Sequence, residues 1–244
     1  MKNRPGIFND VIGPIMRGPS SSHTAAAWRA AKMSMDILNE PLAKAIIDFD
    51  KDGAWAPNYR EQGTTVGIDG GLLGIDMADD RIKNAEQIAI DRGISITYEI
   101  NTYKTTHVNT FRLTLSGLHG KNIQVVAVSL GGGSVRIEGI DGFDVKINGA
   151  SHELLLFNSN QTIELNDLKN MFPECNSIVE SFYNEKRLIN LKFSDTVSEN
   201  SINQLIELNC FDEILVVNPV VPIVAGNETE LPFSTDATQR VGHG

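Results

Sequence analysis

Cysteine is nearly absent from this chain of 244 residues: there are two, Cys175 and Cys210, far apart and in no CxxC pattern. Such a pair excludes a disulfide framework, and no His/Cys/Asp spacing marks a metal site within the chain. Each thiol, set among apolar neighbours, is expected in the core. Positive charge is scarce as well, 21 Lys and Arg against 31 Asp and Glu for a net charge of −10. With no basic stripe, nucleic acid and an anionic membrane are excluded as main partners. Long apolar runs are missing too. The longest, such as Ile214-Leu215-Val216-Val217, are strand-sized and far short of a membrane span. The N-terminus lacks the apolar core of a signal peptide, so cytoplasm is the expected compartment. What remains is an ordinary globular balance, 41% hydrophobic and 21% charged, long enough for one large domain or two modest ones.

The richest stretch is Gly18-Pro19-Ser20-Ser21-Ser22-His23-Thr24, followed by Ala25-Ala26-Ala27-Trp28-Arg29-Ala30-Ala31. Gly-Pro stops any preceding regular structure, and the hydroxyl residues sit where a helix begins. A helix start leaves about four backbone N–H groups without intrahelical partners, which short hydroxyl side chains satisfy. There are more hydroxyls here than one cap needs, with a histidine among them. Spare donors, a positive dipole end and an imidazole make a cradle for a carboxylate or phosphate. A plain Ser/Thr-rich cap with an incidental histidine is the alternative. Arg17, directly before, reads equally as an anion partner or a surface charge.

Along the chain, residues 5–16 read as a short apolar entry segment broken at Gly13-Pro14. Residues 24–39 carry a helical pattern with Ala27, Ala31, Met35 and Leu38 on one face, ended by Pro41. A strand is expected over 43–50, then a loop with aromatic anchors over 51–65, then the glycine cluster Val66-Gly67-Ile68-Asp69-Gly70-Gly71 as a tight helix or turn junction. Asp79 is placed to cap a helix running to Arg92, which Gly93 stops. Strands follow over 94–101, 110–116, 121–130, 134–140 and 143–147, the last two joined by Asp141-Gly142, a hairpin signal. Helix first and then consecutive antiparallel strands implies an α+β domain, 1–150. Over 151–219 the order becomes strand (152–158), helix (164–171), hairpin (176–183 and 187–193), helix (198–208) and strand (213–218). That βαββαβ order is the ferredoxin-like arrangement. A linker or tail is expected over 220–244. His119 and His243 read as solvated, and His152 has no evident partner.

Ser20 to Thr24 match the GPSSSHT signature of the iron–sulfur-dependent L-serine dehydratases, in their beta subunit or beta-like N-terminal half, which this chain resembles. Gly71-Leu72-Leu73, Asp80-Arg81-Ile82-Lys83, His107-Val108-Asn109-Thr110 and Ser129-Leu130-Gly131-Gly132-Gly133 resemble further stretches of that family, over about residues 6–150. The later segment resembles an ACT domain by topology, with Asn158-Ser159-Asn160-Gln161 where a glycine-bearing ligand loop usually stands. The resemblance implies a lyase that removes water and ammonia from L-serine or a related β-hydroxy or β-substituted amino acid to give a 2-oxo acid. It implies a [4Fe-4S] cluster held by a cysteine-bearing alpha subunit, hence a hetero-oligomer. Ser21 and His23 are the implied catalytic groups. Ser20, Ser22, Thr24, His107, Asn109 and Gln62 are the implied substrate-binding ones, with no metal ligand in this chain. The chain departs from the family where a GHGTD stretch is usual: it reads Glu61-Gln62-Gly63-Thr64-Thr65, and glutamine cannot shuttle a proton near neutral pH. Trp55 stands where smaller residues are usual, either reshaping a pocket or filling the core. A non-catalytic protein that senses an amino or hydroxy acid on the same fold is the alternative function.

Overall fold

The computed structural model describes residues 19–159 and 163–220. The expected entry segment over 5–16, Arg17, Gly18, Asn160, Gln161, His243 and all but the first residue of the expected tail 220–244 lie outside the described residues.

The chain begins with α1 (Ser21–Leu38) and β1 (Leu42–Asp50), then α2 (Thr64–Leu72), a 3-10 turn (Asp80–Asn84) and α3 (Ala85–Asp91). Five strands follow: β2 (Ser95–Asn101), β3 (Thr110–Gly117), β4 (Asn122–Gly131), β5 (Ser134–Ile140) and β6 (Phe143–Ile147). They form one sheet with β1, in the order β2-β1-β3-β4-β5-β6. Next come β7 (His152–Asn158), α4 (Leu165–Met171), β8 (Ser177–Tyr183), β9 (Lys186–Phe193), α5 (Glu199–Glu207) and β10 (Glu213–Val217). Their four strands make a second, antiparallel sheet in the order β10-β7-β9-β8. The fold class is α+β. Among the described residues no helix is long and apolar enough to cross a membrane.

The first sheet is mixed, which corrects the antiparallel expectation. β2 lies parallel to β1, with Ile46 opposite Thr97 and Asp48 opposite Glu99. The cause is the connection: parallel neighbours need a crossover, and α2, the 3-10 turn and α3 supply it. The helix expected from Asp79 to Arg92 is also split. Asp79 does accept a hydrogen bond from the Arg81 N–H, but the first turn is 3-10 and the α-helical part starts only at Ala85.

Alanine explains α1. Ala25, Ala26, Ala27, Ala30 and Ala31 are fully buried, since the helix is covered by the sheet on one side and α2 on the other. Alanine is the best helix former and lets both neighbours come close. The glycines of α2 complete the fit. A Cβ on Gly67 would lie 2.3 Å from the Thr24 carbonyl oxygen, and one on Gly71 would lie 2.5 Å from that of Trp28. These contacts pair 24 with 67 and 28 with 71, so the two helices run parallel and start side by side.

The second sheet uses both faces. Leu154, Leu156, Ile189 and Leu191 pack with Leu168, Phe172 and Leu205 of the two helices, where half-buried Cys175 and Cys210 also lie. Leu155, Leu188, Leu215 and Val217 instead join the core of the first sheet. At this junction the far end of α1 is tied down. Asp36 accepts the Asn218 N–H at 2.9 Å, and the Lys121 ammonium bonds both the Ile37 carbonyl at 2.9 Å and Glu213.

Candidate functional site

The helix begins three residues earlier than its apolar pattern suggests, so Ser21, Ser22 and His23 form its first turn. Ser20 is the N-cap by backbone (φ −125°, ψ 95°), yet its hydroxyl caps no backbone N–H. It pairs instead with His23 Nδ1 at 2.6 Å and lies 3.5 Å from the Ser22 hydroxyl. The capping expectation therefore fails at Ser20, because a side chain one turn on competes for its oxygen. Thr24 is buried and donates to the Ser20 and Gly63 carbonyls, both at 3.2 Å. The Ser20 N–H donates to the Gln62 carbonyl at 3.3 Å. These bonds stitch the start of α1 to the start of α2. Two parallel helices thus end their positive dipoles at one place, a favourable seat for an anion.

His23 is half-buried, and burial lowers its pKa below the usual 6.5, so the imidazole is neutral at pH 7. Its ring meets Trp55 edge-on, with centroids 5.0 Å apart. The Ser20 bond fixes Nδ1 in either tautomer. If the hydroxyl donates, Nε2 carries the proton; if it accepts, Nε2 is a free base.

Of the two roles open for Trp55, the structure shows the core one. The residue is 2% exposed and packs on Phe49 and Phe111, so it is core. It also covers His23, and its indole N–H donates to the Asn109 carbonyl at 2.8 Å. Through that bond the loop before β3 joins the site. Asn109 is half-buried and donates through its amide to the Ser129 carbonyl at 3.3 Å, while the Ser129 N–H returns to the Asn109 carbonyl at 3.1 Å. His107 and Asn109 both precede β3, and exposed His107 folds back so that its Nδ1 accepts the Asn109 N–H at 3.1 Å. The Gly131–Gly133 turn, positive in φ at all three residues, is held from behind by buried Arg29 of α1, whose guanidinium donates to the Gly133 carbonyl at 2.8 Å.

Gln62 lies beside the helix starts, and its side-chain oxygen is buried without a hydrogen-bond partner. The Thr64 hydroxyl, at the first residue of α2, is in the same state. Buried polar atoms are nearly always paired, so an acceptor and a hydroxyl left open near two helix starts fit a polar ligand. Among the described residues, no side-chain hydrogen bond engages Ser21.

Two features escaped the sequence reading. Arg29 was signalled only by a cation amid alanines. Buried Asp69 of α2 and half-buried Tyr98 of β2 form a pair, with the phenol donating to the carboxylate. Burial raises the Asp69 pKa to about 6 despite that bond. Tyr98 in turn stacks with Phe49 and Tyr59, and a lone Asp in a glycine-rich helix was the pair's only sequence trace.

No protein-family model matches the chain. It is 36% identical over 152 residues to the probable L-serine dehydratase beta chain of Bacillus subtilis, covering 62% of this chain and 68% of that one. It is 32% identical over 148 residues to the L-serine dehydratase beta chain of Peptoniphilus asaccharolyticus, covering 60% and 66%. Both relatives are subunits of dehydratases, enzymes of the lyase class. By this similarity the chain belongs to the family of L-serine dehydratase beta chains.

Proposed function

We propose that this chain is the beta subunit of a cytoplasmic dehydratase acting on L-serine or a related β-hydroxy amino acid, completed by a cysteine-bearing alpha subunit. The observation that carries the reading is the Ser20–His23 pair at the shared start of two parallel helices. Such a reaction needs the carboxylate held, the α-proton removed and the β-hydroxyl expelled as water. The first product is an enamine, which tautomerises to an imine; water then releases ammonia and the 2-oxo acid. The helix starts, with Ser22 and the Thr64 hydroxyl nearby, suit the substrate carboxylate, whereas Thr24, whose hydroxyl is spent on the Ser20 and Gly63 carbonyls, is left a positioning role in place of the substrate contact expected of it. The open Gln62 oxygen suits its ammonium group. Neutral His23, fixed by Ser20 and Trp55, suits the proton transfer, with Ser21 beside it. Asn109, tied to Trp55 through its carbonyl, and His107 beside it are assigned to orient the substrate.

The family resemblance assigns a [4Fe-4S] cluster to the partner, and this chain's residues do not fit one. Cys175 donates its thiol to the Ser177 and Lys192 carbonyls, burial pushes both thiols up in pKa, and neither lies near His23. The role derived for this chain is confined to binding, orientation and proton handling. Residues 1–150 form the dehydratase beta-type domain in this proposal, and 151–219 a ferredoxin-like, ACT-like one. The order β10-β7-β9-β8 supports the latter.

The test is the chain isolated anaerobically from its native cells with whatever co-purifies, assayed for 2-oxo acid from L-serine. The expected result is an iron-bearing complex in which His23→Ala lowers kcat by about 100-fold or more. Activity unchanged by His23→Ala would make the chain a scaffold. A lone chain that binds L-serine without iron or partner would make it a sensor.

A further inference from the structure

Far from His23, a cleft of about 560 Å³ opens between the two sheets. That is within the range of small-molecule sites, roughly 300–1,000 Å³. Ile37 near the end of α1 lines it, with the first residues of β4, the β5–β6 turn, the end of β7, the β8–β9 turn and the start of β10. His23 and Ile37 share α1 but stand roughly 21 Å apart along its axis.

The charges in the cleft decide what fits. Lys121, Lys186 and Arg187 face Asp141, Asp212 and Glu213, so there is no net positive field to hold a phosphate or nucleotide. Most of these groups are already engaged. Lys121 bonds Glu213, Arg187 bonds Glu180 and the Ile163 carbonyl, and Asp212 accepts the Ser159 hydroxyl. One cation, exposed Lys186, and two carboxylates, Asp141 and Asp212, form no ion pair among the described residues. Asp141 accepts the Gln124 N–H through one oxygen at 2.6 Å. Asp141 is exposed to the cleft, and partial desolvation raises its pKa against the Gln124 N–H, Lys121 and Lys186. Beside these groups stands an aromatic wall, with Phe143 edge-on to Phe157 at 5.8 Å and to Tyr183 at 6.0 Å.

We propose that this cleft binds a zwitterionic α-amino acid with an apolar or aromatic side chain: its ammonium at Asp141, its carboxylate at Lys186, its side chain against Phe143, Phe157 and Tyr183. The site is separate from the one at His23, and the proposal stands whether or not the dehydratase reading does.

Titration calorimetry of the full chain with L-phenylalanine and L-leucine tests it. The expected result is binding of at least one of them, weakened about tenfold or more by Asp141→Asn and by Lys186→Glu and unchanged by His23→Ala. N-acetyl-L-phenylalanine, which lacks the ammonium group, and phenethylamine, which lacks the carboxylate, should each bind more weakly than L-phenylalanine. Asn tolerates the positive φ of 48° at Asp141 and keeps an oxygen for Gln124, and Lys186 is exposed, so both variants are expected to fold; thermal melts check this. The proposal is overturned by no binding at millimolar concentration, by either analogue binding as tightly as L-phenylalanine, by wild-type affinity in both cleft variants, or by loss of binding in His23→Ala.

Discussion

Trp55 is the residue on which the two halves of the candidate site meet, since one side chain touches His23 and holds the Asn109 carbonyl. Trp55→Phe keeps an aromatic ring but removes the N–H and half the cover. The expected stability loss is about 1 kcal/mol, the usual size of one hydrogen bond, because Asn109 retains the Ser129 N–H. The sharper readout is His23 itself. With water admitted to its edge, its pKa should rise toward the ordinary 6.5, measured by NMR titration of the ring protons. An unmoved value would mean that Trp55 does not shield it. Asp69 gives a second residue-level expectation. Its folded pKa of about 6 lies above the ordinary carboxyl value of 3.8, so the folded chain holds a proton that the unfolded chain releases. Stability on this account is greatest below pH 4 and falls as pH rises through 6, by about 3 kcal/mol in all. Asp69→Asn should remove that slope, and denaturant unfolding between pH 4 and pH 8 checks it.

At the scale of elements, the parallel contact of α1 with α2 sets the site, and it depends on glycine. In Gly67→Ala the new methyl would meet backbone at 2.3 Å, which cannot move without parting the helix starts. The expected cost is about 1–3 kcal/mol, with activity falling further than stability; a thermal melt and an assay of the same sample separate the two. The periodicity of α1, the caps at Asp79 and Ser198, the Asp141-Gly142 turn and every strand of the second sheet were legible in the sequence, because each rests on local chemistry. The mixed sheet was not. Whether β2 lies parallel or antiparallel to β1 is decided by where the crossover carries the chain, and no residue within the strand records that. The site was legible in part for the same reason. Ser20, His23 and Thr24 are neighbours in sequence, whereas the link from His23 through Trp55 to Asn109 spans three separate segments. Gln62 could be read as a departure from a pattern, but not as a buried oxygen without a partner.

At the scale of the whole molecule, α1 joins everything: its start carries the Ser20–His23 pair, its flank holds the glycine turn through Arg29, and its end meets the second sheet through Asp36 and Ile37. The two sheets share one core through Leu155, Leu188, Leu215 and Val217, so the second segment is built onto the first rather than hung from it. The parallel edge has a further consequence, for the order in which the chain folds. β3 to β6 form by successive hairpins, which are quick to close, whereas β2 reaches β1 only after the whole crossover has been gathered. Contacts of long sequence separation form late, after the entropy of closing the loop has been met. That crossover contains Trp55, Gln62 and all of α2. The residues that cover and flank the Ser20–His23 pair therefore belong to the last part of the chain to become native, later than the helix that carries the pair.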